Sequence, residues 1–124
     1  MRRILAWIGF ALAAGAQAQE GDAARGRALL EKRDAANCVL CHAIPGVGGV
    51  AGTLGPSLAG VGGRFDAAQL RERVADPSRI DPRIAMPAYF RREGLERVAP
   101  QYRGATVLSA QELADVVAYL SGLK

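Results

Sequence analysis

The stretch Cys38-Val39-Leu40-Cys41-His42 decides how the rest of the chain is read. It fits C-x-x-C-H: two thiols one helical turn apart, with an imidazole directly after the second. Each thiol can add to one of the two vinyl groups on a porphyrin edge. The adjacent histidine then projects under the ring and binds iron. The pattern is the attachment signal for covalent haem. Such links retain a haem in a chain too small to enclose it.

Other uses of these cysteines fit less well. A redox dithiol of the C-x-x-C type calls for a βαβ pattern nearby, and none is visible. Structural zinc takes about four ligands, whereas the chain has two cysteines and one histidine. A disulfide across so short a spacing would close almost no loop and constrain little.

Upstream of the motif the chain begins as an export signal. Arg2 and Arg3 give a positive start, and an apolar run from Ile4 to Ala16 follows. Ala16-Gln17-Ala18 offers small residues where an export peptidase reads them. The run is too short to span the ~30 Å hydrocarbon core of a bilayer as a helix. The expectation is a signal peptide at residues 1–18, cleaved after Ala18, and one domain at residues 19–124 in the periplasm. No membrane attachment is expected after cleavage. A domain of this size has a marginal core, and a cofactor is one of the few things that can stabilise it.

Charge narrows the partners only a little. The formal net charge is +4, or +2 without Arg2 and Arg3. The basic residues are scattered among acids and form no stripe with interleaved aromatics, so nucleic acid is not an expected partner.

The elements read as helix, haem motif, glycine-rich loop, helix, loop and helix. Asp22 can cap a helix over Ala23–Lys32 whose apolar side carries Leu29 and Leu30. Gly26 lies inside it, where glycine costs ~1 kcal/mol relative to alanine; close approach of another helix would explain it. Gly46 to Gly63 contains eight glycines and one proline and is expected to hold no regular element. Asp66 and Gln69 form a capping box for a second helix, which Asp76-Pro77 ends. Asp81-Pro82 and Met86-Pro87 make the following stretch extended and stiff. Ser109 and Glu112 form another capping box. Leu113, Val116, Val117 and Leu120 then fall on one face, and Gly122 is a natural stop. The fold class expected is all-α, three to four helices with long loops around one haem.

Elimination narrows the choice of a second iron ligand, with filling a gap in the core as the other use of a methionine. Beyond residue 18 the chain has one histidine, His42, and one methionine, Met86. His/His ligation within the chain is therefore excluded, and Met86 is the candidate partner of His42 in a His/Met pair suited to electron transfer. An iron-bound imidazole usually donates its other N–H to a nearby acceptor; the Pro56 carbonyl is the candidate. Arg64 is the candidate partner of a haem propionate, because guanidinium pairs strongly with carboxylate.

These residues resemble the class I cytochrome c family across nearly the whole of residues 19–124. The matching pieces are Gly21-Asp22 with Gly26, Cys38–His42, Gly55-Pro56-Ser57-Leu58, Gly60-Val61-Gly62-Gly63-Arg64, Met86-Pro87, and Ala118-Tyr119-Leu120. The resemblance implies a first and last helix crossing at a small residue, and it implies the same roles for Pro56, Arg64 and Met86. A narrower resemblance is to the SoxX family, the small haem subunits of SoxA–SoxX pairs. It rests on Val74-Ala75-Asp76-Pro77, on Met86-Pro87-Ala88-Tyr89-Phe90, and on the run from Val107 to Leu120.

That resemblance implies an electron-accepting role in thiosulfate oxidation. The SoxA–SoxX pair joins thiosulfate to a cysteine of a SoxY–SoxZ carrier, a cysteine S-thiosulfotransferase reaction whose catalytic haem lies on SoxA. The SoxX chain passes the electrons to a soluble cytochrome. With its cysteines attached to haem, the present chain has no free thiol to act as nucleophile and no second histidine to act as base. An independent soluble carrier serving a terminal oxidase or reductase shares every one of these residues and is the competing reading.

The only tryptophan, Trp7, lies before Ala18. Purified exported protein is therefore expected to show no tryptophan fluorescence. Emission would mean that the leader is retained.

Overall fold

The computed structural model describes residues 19–50 and 52–124. The expected signal peptide lies outside the described residues. Among them are four α-helices: α1 (Ala23–Glu31), α2 (Val61–Arg64), α3 (Ala67–Ala75) and α4 (Ala110–Gly122). Short 3₁₀ turns occupy Cys38–Leu40, Pro77–Arg79 and Pro100–Tyr102, and the described residues contain no strand. No described helix is long and apolar enough to cross a membrane.

The helix ends follow from local chemistry. The Asp22 carboxylate accepts from Arg25 N at 2.8 Å and starts α1. Asp66 and Gln69 complete a reciprocal capping box on α3, and Ser109 and Glu112 another on α4. α1 stops one residue earlier than the sequence pattern suggests, with Lys32 as its cap. α4 runs through Gly122 and is capped by Leu123.

One expectation fails. The glycine-rich stretch does hold a regular element, because Val61–Arg64 form the short helix α2. Tertiary contact overrides poor propensity there. Gly62 N donates to Leu123 O at 2.8 Å, and Lys124 Nζ donates to Gly62 O at 2.7 Å. A Cβ on Gly62 would stand 2.3 Å from Ser121 O, so only glycine lets the turn lie against the end of α4.

The core sits where α1, α3 and α4 meet. Leu30, Leu108, Leu113 and Val116 are fully enclosed, with Leu70 and Val74 of α3 beside them. α1 and α4 cross at Gly26, where an added Cβ would lie 2.0 Å from Asp115 O. This answers why a helix carries a glycine at its centre.

Asp115 locks the crossing. Only 2% exposed, it accepts from Asp22 N at 2.7 Å, from Arg25 Nε at 2.8 Å and Nη2 at 3.0 Å, and from Gln111 Nε2 at 2.9 Å. The Arg25 hydrogen bond is the main reason its carboxyl is held far below the ordinary carboxylate range; burial opposes the shift without cancelling it.

A carboxyl so lowered stabilises the fold above its unfolded pKa of ~3.9, and that contribution is lost as pH falls through the native value. Asp115→Ala strands several donors and should cost about 2–3 kcal/mol at neutral pH. In urea titrations the difference between wild type and variant should shrink below pH ~4. A difference that stays constant down to pH ~2 would contradict the assignment.

Candidate haem site

Asn37 enters the left-handed region at φ 45° and turns the chain into the motif. Cys41 N and His42 N both donate to Cys38 O, at 3.1 and 2.9 Å. This winds Cys38 to His42 into one tight turn. Neither cysteine is in a disulfide, and both are half-buried. Burial, with a smaller push from Cys41, raises the Cys38 thiol to about 11. Reactive redox dithiols have lowered thiol pKa values, so the environment argues against that use.

His42 Nδ1 lies 2.7 Å from Pro56 O. A carbonyl can only accept, so Nδ1 carries a proton and Nε2 is the nitrogen left to bind a metal. That tautomer suits a metal ligand oriented from its far side. Gly55 lies flat against the ring, where a Cβ would stand 2.4 Å from His42 Cε1. Gly55 N donates to Cys41 O at 2.7 Å, and Leu58 N to Ala43 O at 2.9 Å. The loop carrying Pro56 is thus fastened to both sides of His42. The role of Gly55 escaped the sequence reading, though its place just before Pro56 was a signal.

Arg64 stands apart from this contact and serves the same loop. Its Nη1 donates to Ala59 O at 2.7 Å, and Nη2 reaches Ser57 O at 3.4 Å. It is exposed, and its remaining donors are not engaged by the described residues. Met86 is half-buried and packs against the core, as do Cys38, Tyr89 and Phe90. Tyr89 lies close to the motif. Its hydroxyl is pushed up to about 12, chiefly by burial and further by the two cysteine sulfurs. The Met86–Phe90 segment and the Cys38–His42 turn are therefore neighbours.

The residues present fit a covalent haem. Paired thiols stand one turn apart, an imidazole is fixed with Nε2 as its free donor, and glycine rather than a bulkier residue lies against the ring. A thioether is carried on a neighbouring segment. No group of three or more His, Cys, Asp and Glu side chains among the described residues could hold a metal ion without such a macrocycle.

The sequence matches the cytochrome c family over residues 23–124. The chain belongs to that family: it is a haem electron-transfer protein with the small helical cytochrome c fold, and Cys38 and Cys41 stand at the spacing that covalent haem c requires. Within the class it resembles SoxX. The chain is similar to a chain in the crystal structure of SoxXA from P. pantotrophus, with 35% identity and a TM-score of 0.77. The likeness covers 85% of this chain and 83% of that one. No curated protein sequence matches it.

Gly55→Ala should drive a methyl into the imidazole while leaving both thioether links possible. Haem should still stain on a denaturing gel, with the absorption spectrum shifted toward high-spin iron. An unchanged low-spin spectrum would show that the ring does not depend on this contact.

Proposed function

We propose that the chain is the SoxX-like, electron-accepting subunit of a periplasmic SoxA–SoxX complex in thiosulfate oxidation. The observation that carries this reading is the 35% identity to the SoxXA structure over 85% of the chain. In this reading Cys38 and Cys41 would hold the haem by thioethers, and His42 Nε2 and Met86 Sδ would bind its iron. Pro56 O fixes the imidazole. Arg64 secures the Pro56 loop and directs its remaining donors at a propionate.

When bound, the haem supplies a one-electron redox centre. The chemistry it serves takes place elsewhere. Joining the outer sulfur of thiosulfate to a carrier thiol forms an S–S bond and releases two electrons and a proton. That step belongs to the SoxA-like partner and a SoxY–SoxZ-like carrier. This chain takes the electrons one at a time and yields them to a soluble cytochrome. Its own residues suit a passive relay: both thiols are committed to attachment and the one imidazole to iron. Leu40 and Leu54, 65% and 87% exposed, provide apolar surface beside the motif of the kind that partners cover.

The test is affinity capture of the tagged protein from periplasm of cells grown on thiosulfate. A second haem-bearing polypeptide should co-elute in constant ratio, and thiosulfate with the carrier should reduce the haem of the captured pair. Elution as a lone monomer would overturn the reading in favour of an independent carrier.

A further inference from the structure

The segment carrying Met86 is a loop with a closed neck. It leaves α3 at Asp76 and returns beside α3 at Tyr89 and Phe90. Tyr89 N donates to Val74 O at 3.3 Å and Phe90 N to Ala75 O at 2.9 Å. Between these points lie the 3₁₀ turn Pro77–Arg79 and a turn closed by Ile84 N on Asp81 O at 3.1 Å, with Arg83 Nη2 paired to the Asp81 carboxylate at 2.8 Å. These contacts join near neighbours in the sequence and do not themselves close the loop.

A polar cluster spans the neck. Asp76 is 9% exposed at the C-cap of α3. Ser78 Oγ donates to Asp76 Oδ1 at 2.5 Å. Arg91 Nη1, fifteen positions from Asp76, donates to Ser78 Oγ at 2.9 Å and lies 3.4 Å from each Asp76 carboxylate oxygen. The Ser78 hydroxyl leads the effects that hold the Asp76 carboxyl below its ordinary range, with the Arg91 charge adding to it, so the carboxylate is charged at neutral pH. From α3, Arg71 lies over the Phe90 ring, 5.9 Å from its centroid.

We propose that Asp76, Ser78 and Arg91 form a clasp that positions Met86, holding its loop shut so that the thioether stays in place against the haem. They are positioning residues, and the inference rests on Met86 being the iron ligand. Closing a loop of this length costs entropy that the turns inside it do not offset. A charge-assisted contact at the neck supplies part of that. Loss of the clasp should open the Met86 loop locally while the α1–α4 crossing, built on Gly26 and Asp115, stays closed.

The test uses haem-loaded protein with Arg91→Gln and Ser78→Ala, and Arg91→Lys as the conservative control. Two quantities are read: the methionine-to-iron absorption band at the red end of the visible during urea titration, and amide hydrogen exchange at residues 80–88. In Arg91→Gln the band should vanish at lower urea than the far-UV helix signal. Those amides should exchange about tenfold faster, as expected for one lost charge-assisted bond, with α1 and α4 unchanged. Ser78→Ala should move the same way, and Arg91→Lys should recover part of the loss. Equal acceleration in α4 would show a general stabilising role and overturn the proposal, as would wild-type behaviour of both variants while the band is present. A wild-type protein lacking the band, with Met86→Ala no different, would overturn the ligand assignment first and the clasp with it.

Discussion

The hydrogen bond from His42 Nδ1 to the Pro56 carbonyl is the contact on which the rest of the site depends. It selects the tautomer, aims Nε2 away from the loop, and ties the attachment turn to the chain that follows it. Gly55 makes this possible by leaving room against the ring. Arg64 reinforces it by holding the Ser57 and Ala59 carbonyls of the same loop. A neutral imidazole fixed in this way is a better-oriented and more basic ligand than one free to rotate.

A second constraint sets where that turn can sit. α1 and α4 touch backbone to backbone at Gly26, and Asp115 gathers donors from Asp22, Arg25 and Gln111 around the same point. The haem motif follows α1 after only a few residues, so the crossing fixes its origin. α3 packs on α4 and carries at its end the neck of the Met86 loop. The two prospective iron ligands are thus delivered by segments that follow two different helices, α1 and α3, both packed on α4. The cytochrome c relationship and the likeness to the SoxXA structure agree with this layout.

Much of this was legible in the sequence because it is encoded locally. Both capping boxes, the apolar face of α4, the stop at Asp76-Pro77 and the C-x-x-C-H turn each need only a few neighbouring residues. The α2 helix was not legible, since Val61–Arg64 depend on Leu123 and Lys124 at the far end of the chain. The Asp115 network and the Asp76–Ser78–Arg91 cluster were hidden for the same reason: an aspartate or arginine alone reads as a solvated charge. Arg64 was singled out as a propionate partner, and the structure adds a loop-holding role that its residue type alone does not reveal.

Whether one haem consumes both cysteines is read from the intact mass of denatured, exported protein after treatment with a thiol-alkylating reagent. One species is expected, heavier than the polypeptide by a single haem and carrying no alkyl groups. A colourless polypeptide with an alkyl group on each of Cys38 and Cys41, from cells whose other haem proteins mature normally, would contradict it.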